Sequence, residues 1–208
     1  NKLNLVKVQE VKSLLLYRAR QHSGKTKINS CNDLGSAPKN VAGANRFSAE
    51  GISMFYGAED EKTAIEEAVN PKSTDKYVSI GQFTNHMDLN LIDLREIDNI
   101  GFFNVYRIHL IEPSIFLKKF VESISQKIEH DFNKRIEYVP SQIVTEYCKF
   151  VLPNIIKKEV HGIIYRSTRN KKDCYAIFAE YKNCSDEGSE HDKTYISLKS
   201  GSIKKIPI

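Results

Sequence analysis

A handful of residues stand beside strand-like segments with side chains that can do chemistry: Arg18, Arg46, Tyr56, the neighbours Glu66 and Glu67, and Ser167. A guanidinium offers two parallel donors and keeps its charge when partly buried, so Arg18 and Arg46 suit a phosphate or diphosphate. Tyr56 closes a short apolar run, where a ring can pack on a ligand while its hydroxyl finds a partner. Each has an ordinary alternative: a surface or ion-paired arginine, a core tyrosine, a solvated helix glutamate. Arg20, Arg166 and Arg169 are read that way. Ala64, Ile65, Ala68 and Val69 mark the buried side of the helix that carries Glu66 and Glu67. The two glutamates lie about equally far from its centre, so helical spacing does not choose between them. A strand-end serine such as Ser167 can reach a phosphate or amide, but alone it signifies nothing.

Broad catalytic signatures are absent: the chain has no G-x-x-x-x-G-K-S/T, G-x-G-x-x-G, G-x-S-x-G or H-E-x-x-H. Cys31, Cys148, Cys174 and Cys184 form no C-x-x-C pair, and no histidine has a second ligand at helical spacing. The cysteines read as reduced structural thiols, and no metal site is expected.

The elements that must position these residues alternate between strand and helix. Leu14–Arg20, Gly51–Ala58, Lys76–Thr84, Leu89–Leu94, His161–Ser167 and Cys174–Glu180 are strand-like, and Thr194–Leu198 with Ser202–Pro207 reads as a C-terminal hairpin turning at Ser200-Gly201. Asp60 caps a short helix over Glu61–Val69, stopped by Asn70-Pro71. A second helix opens at Pro113 with Phe116, Phe120, Ile124 and Ile128 as a core stripe. A third runs from Pro140 to Pro153 and buries Ile143, Val144, Tyr147, Cys148 and Val151. Gln21–Asn45 is a long polar loop, functional or mobile by its length, and Lys182–Lys193 is a surface loop. The whole predicts one α+β domain over residues 1–208, its central sheets flanked by helices and its last segment, 179–208, a strand extension.

At 208 residues the chain suits a single domain, and no apolar run approaches a membrane span, Leu14–Tyr17 and Ile100–Val105 being strand-sized. The +5 net charge is dispersed as doublets (Lys118-Lys119, Lys157-Lys158, Lys171-Lys172, Lys204-Lys205) rather than gathered in a stripe. That pattern predicts no nucleic-acid partner and leaves a mildly positive cleft for a phosphate-bearing small molecule. The chain opens at Asn1 without a secretion signal, as expected of a cytoplasmic protein and of a piece of something longer.

Several blocks then occur in order: Leu16-Tyr17-Arg18-Ala19-Arg20, Gly35-Ser36-Ala37-Pro38, Asn45–Ile52 with Arg46, Phe55-Tyr56-Gly57-Ala58, Thr63-Ala64-Ile65-Glu66-Glu67, Tyr138-Val139-Pro140-Ser141-Gln142 with Glu146, and Val160–Ser167. Together they resemble the RES-domain family, named for its Arg, Glu and Ser, over about residues 16–178, and most resemble its branch with an N-terminal HEPN-like domain. Arg166 departs from the pattern, as does much of Gln21–Asn45. The resemblance implies a bacterial toxin or defence effector with a fold similar to diphtheria-toxin-like ADP-ribosyltransferases, destroying NAD by hydrolysis or phosphorolysis. It selects Glu67 over Glu66 and implies Glu67, Arg46 and Tyr56 as catalytic, with Arg18, Ser167, Tyr17 and Gln142 binding substrate. NAD enters as substrate, not cofactor. Further partners implied are an antitoxin or an attached regulatory domain, with homo-oligomerisation open and no membrane. ADP-ribosyl transfer to a macromolecule and a silent nucleotide-binding module are the alternatives.

Overall fold

The computed structural model describes residues 6–97, 100, 105–125 and 134–208; Ile128 and positions 101–104 of the Ile100–Val105 run lie outside the described residues. Alternation in β2 (Leu15–His22) sets the frame. Leu16 is buried on one side of the sheet, while Tyr17 and Ala19 pack on the other. β2 pairs antiparallel with β4 (Tyr77–Asn85) along its whole length, from Leu15↔Thr84 to His22↔Tyr77. The remaining strands are β1 (Lys7–Val11), β3 (Phe55–Ala58), β5 (Leu89–Asp93), β6 (Gly162–Arg166), β7 (Asp173–Ile177), β8 (Cys184–Asp186), β9 (Ile196–Leu198) and β10 (Lys204–Pro207). They form one mixed sheet in the order β1-β5-β6-β7-β3-β2-β4-β9-β8, with β10 on the same edge of β4. Among the described strands, only β5/β6 and β8/β9 are parallel. This is the expected mixed architecture, a large sheet flanked by helices in one domain.

One side of the sheet carries Leu16, Phe55, Phe83, Leu91, Ile177 and Leu198, packed with Leu34 of the single-turn helix α1 (Cys31–Leu34). The rings of Phe55 and Phe83 meet edge-on, with centroids 4.9 Å apart. The other side buries Phe47, Ile92, Ile163 and Ala176 beneath Phe120, Ile124, Cys148 and Leu152. Those four come from α3 (Ile111–Ile124) and from a helical run made of α5 (Val139–Glu146), a π-helical turn (Tyr147–Val151) and α6 (Leu152–Ile156). Beside it α2 (Glu61–Ala68) covers Ala58, Ile80 and Cys174 with Ala64. A short helix, α4 (Lys134–Glu137), precedes α5.

β2 and β3 pair at a single position, Tyr17↔Ala58, and then part. The carbonyl of Tyr56 thereby loses a ladder partner, and Arg18 supplies one: its Nη1 donates to Tyr56 O at 2.7 Å, and its Nε to Leu34 O at 2.7 Å. This split in the sheet creates the site.

Several expectations need correcting. The apolar positions of the helices do not all face inward: Phe116 is 66% exposed and Ile143 63%. Tyr147 and Val151 are also exposed. α5 instead buries Ser141 and Thr145: Ser141 reaches Arg46 O across the structure as well as Tyr138 O, and the Thr145 hydroxyl is satisfied within the helix by Ser141 O at 2.8 Å. Pro153 does not end the run, since it sits in the first turn of α6 where no N–H is needed, and the stop comes at Lys157 with φ of 54°. The C-terminal strands are not a hairpin. Both lie along β4, β9 against Phe83–Asn85 and β10 against Tyr77–Ile80, with the chain looped out between them. β3 begins only at Phe55. The supposed loops contain elements: α1, whose Ser30 and Asp33 form a capping box, and β8.

Where β6 and β7 meet, Asp173 takes bonds from Arg166 Nη1 at 2.5 Å and from Arg95, which also holds Asp93 at 2.6 Å. Arg166, the departure from the family pattern, is thus an ion-pair residue. Burial pushes the Asp93 carboxyl up, but the Arg95 guanidinium outweighs it and the net shift is downward. The folded protein therefore binds a proton to Asp93 less readily than the unfolded chain does. That contribution to stability is present above the unfolded value of about 4 and is lost as pH falls through the folded one. Urea midpoints measured from about pH 6 to about pH 3 should fall less steeply for Asp93→Asn than for the parent. Phe83→Ala should cost roughly 3–5 kcal/mol in denaturant unfolding, whereas Phe116→Ala should change stability by no more than about 0.5 kcal/mol.

Candidate functional site

A cavity of about 430 Å³ opens where β2 and β3 part, between α2, the 37–52 loop and the turn after β6. Its size is in the range of small-molecule sites. Tyr17, Arg18, Arg46, Tyr56 and Glu67 all line it, so residues far apart in the chain share one wall.

Glu67 arrives on α2. Asp60 caps the helix by accepting from Thr63 N at 2.7 Å, which fixes the register of the two glutamates. Glu66 turns aside: its Oε2 accepts from Asn170 Nδ2 at 2.8 Å, and Lys62 lies 3.9 Å from its other oxygen. Glu67 lines the cavity, and its Oε1 accepts from Ser167 Oγ at 2.5 Å. Ser167 is fully buried and itself accepts from the backbone N–H of Arg169 at 3.0 Å and of Asn170 at 3.4 Å. Ser167 is therefore placed behind Glu67 rather than on the cavity wall. Its hydroxyl aims the carboxylate, and the two amides orient the hydroxyl.

Arg46 rides on the 37–52 loop, which α5 anchors. Ser141 Oγ donates to Arg46 O, and Gln142 Nε2 donates to Asn45 O at 2.9 Å and Ser48 O at 3.2 Å. The Arg46 guanidinium lies over the Tyr138 ring, 5.6 Å from its centroid. Gln142 thus holds the arginine-bearing loop and does not line the cavity. Tyr56 is fixed through its hydroxyl, 2.9 Å from Ser48 Oγ, and burial pushes its ionisation well above the usual tyrosine range. It is a neutral hydroxyl at any physiological pH. Gly57 follows it on the wall; a Cβ there would come within 3.0 Å of the Phe55 ring and 3.1 Å of Leu16 Cβ, so the strand stays bare at this point. Arg18 has two donors committed to Leu34 O and Tyr56 O and its guanidinium over the Phe55 ring at 5.2 Å. Burial lowers its proton affinity, yet a guanidinium starts so high that it stays charged. Tyr17 lines the wall with its hydroxyl 3.4 Å from Gln82 Nε2.

Tyr138, Tyr165, Thr168 and Arg169 also line the cavity, and sequence reasoning did not single them out. Tyr165 was within reach: it stands two residues before Ser167, and strand alternation puts the two on one side. Its ring packs on Phe47, with centroids 4.7 Å apart, and burial raises its hydroxyl's pKa strongly. Arg169, read as a surface residue, is exposed yet reaches the rim from the turn that orients Ser167. No signal in the sequence marks it. Among the described residues no three His, Cys, Asp or Glu side chains gather as metal ligands. Cations, aromatic rings and one aimed carboxylate therefore share a pocket suited to a ligand with a polyanionic part and a planar part.

No curated protein matches the chain significantly. The RES-domain model matches residues 15–195, running past Phe178 and through β8. With the matched segment spanning β2 to the edge of β9 and containing every residue that lines the cavity, the chain belongs to the RES-domain family, whose chemistry is NAD-related at the level of the family.

Proposed function

We propose that the protein cleaves the nicotinamide–ribose bond of NAD, and that the observation carrying this reading is the Glu67 carboxylate, held by Ser167 in a cavity it shares with Arg18 and Arg46. Nicotinamide leaves with the bonding electron pair, so positive charge develops on the ribose carbon and ring oxygen, as in glycoside hydrolysis. A carboxylate already aimed at that position stabilises the charge without reorganising. The arginines supply donors to the diphosphate, and Tyr56 and Tyr165 offer flat walls to the departing ring. Water or inorganic phosphate then attacks the ribose carbon and loses a proton, giving ADP-ribose or its 1″-phosphate together with free nicotinamide.

The decisive experiment is product analysis of NAD incubated with the purified protein, with and without phosphate. ADP-ribose in both conditions means hydrolysis, and the sugar phosphate formed only with phosphate means phosphorolysis. Label transferred to protein or nucleic acid would replace this reading with ADP-ribosyl transfer, and unchanged NAD would sink it.

Single substitutions test the roles. Glu67→Gln keeps the shape but removes the charge, and should lower kcat by about 10²–10³ with little change in KM. Glu66→Gln should leave turnover within about twofold, since that side chain faces Asn170; a dead Glu66→Gln beside an active Glu67→Gln would reverse the assignment. Arg46→Ala should act mainly through KM if the guanidinium grips the bound ground state. Ser167→Ala leaves the carboxylate charged but unaimed, so kcat should fall by roughly tenfold, and loss of the acceptor for two backbone amides should lower the thermal midpoint by a few degrees as well. Restoration by Ser167→Thr would separate aiming from loss of fold.

A further inference from the structure

On the other side of the split, a second cavity of about 730 Å³ lies between the 23–29 loop and the turn joining β9 to β10. Lys25, Lys27, Lys199 and Lys205 all line it, against a single acid, Asp186. Asp186 is already engaged, its Oδ1 accepting from Cys31 N at 2.8 Å. Lys205 is fixed, its Nζ donating to Gly24 O at 2.8 Å and lying 4.4 Å from the Tyr77 ring centroid. Lys25, Lys27 and Lys199 have no ion pair or side-chain hydrogen bond among the described residues. Like charges gathered on one concave surface repel one another, and a cleft of this sign concentrates anions.

The walls are more than a charged surface. At the base, the buried Ser79 hydroxyl lies 2.9 Å from Nε2 of the buried His22, whose Nδ1 is 2.6 Å from Ser23 O. Gly201, in the left-handed region at φ of 67°, leaves its stretch of backbone open, since a Cβ there would meet nothing. Ile28 and Leu198, both buried, add an apolar patch.

We propose that this cavity binds a small molecule carrying two or three linked phosphates, its phosphates held by Lys25, Lys27 and Lys199 and its non-phosphate part lying on Ile28 and Leu198. The site is separate from the Glu67 cavity: no residue lines both.

Titration calorimetry of the purified protein with inorganic tripolyphosphate, and separately with a nucleoside triphosphate, tests this. One site is expected for each, weakening as salt is raised. The triple variant Lys25→Ala, Lys27→Ala, Lys199→Ala should weaken binding at least ~10-fold, whereas Arg46→Ala, in the other cavity, should alter it less than ~2-fold. All are half- or fully exposed side chains, and circular dichroism checks that the variants fold. Tighter binding of the nucleotide would support a nucleoside seated on Ile28 and Leu198, and equal binding would overturn that part of the proposal and leave a site for phosphates alone. The proposal is overturned by no heat with either probe at millimolar concentration, or by loss of binding in Arg46→Ala with none in the triple variant. Tighter binding of a short RNA than of either probe would overturn it too, in favour of a macromolecular ligand.

Discussion

The bridge that Arg18 makes between two backbone carbonyls governs the rest of this structure. Opening a sheet in its interior strands polar groups that would otherwise pair, and an unsatisfied buried carbonyl costs on the order of 1–3 kcal/mol. Here the guanidinium spans the gap, taking Tyr56 O on one side and Leu34 O on the other, with the Phe55 ring beneath it. A lysine could not replace it, because the two carbonyls lie in different directions and call for donors fixed in a plane. The bridge ties β3, α1 and β2 together at the point where the strands part, so the cavity keeps its shape. Arg18 thus serves the fold and faces the ligand space at once.

Around that frame, Glu67 and the loop that carries Arg46 are held by side chains that do not line the cavity. Ser167 aims Glu67, and the amides of Arg169 and Asn170 aim Ser167. Ser141 and Gln142 pin the backbone on both sides of Arg46. Arg95 and Arg166 clamp Asp173, which closes the β6–β7 turn from which Ser167 and Arg169 emerge. Such support is what an electrostatic site needs, since a charge stabilises a developing opposite charge well only if it need not move to do so.

The two cavities lie on opposite sides of one sheet and differ in character. The first mixes a carboxylate with arginines and tyrosine rings; the second is lined by lysines with a serine floor. Arginine forks suit directional contact with a particular group, whereas lysines act as mobile point charges. The loop that forms the wall of the second cavity runs directly into α1, whose last carbonyl holds Arg18. The sheet is thus the common wall between a site built for geometry and one built for charge.

Local sequence was sufficient for the strands with clear alternation or continuous apolar runs, for α2 with its Asp60 cap, and for a mixed single-domain class, because those features arise from contacts within a few residues. The ordered blocks were sufficient to collect Arg18, Arg46, Tyr56, Glu67 and Ser167. Helical spacing could not separate Glu66 from Glu67. The resemblance to the family selected Glu67, and the tertiary contacts supply the physical reason, Asn170 drawing Glu66 aside and Ser167 donating to Glu67. The same limit explains the helices. An apolar stripe names a face able to be buried, but α5 turned Ser141 inward to the Arg46 carbonyl, with Thr145 one turn on satisfied inside the helix, leaving Ile143 outside. It explains the C-terminus too, where a turn signal at Ser200-Gly201 suggested a hairpin, although β9 and β10 both found the free edge of β4. Spacing along a chain reports which side chains share a face. Which face meets which partner depends on groups brought from a hundred residues away, and that is settled only when the sheet closes around them.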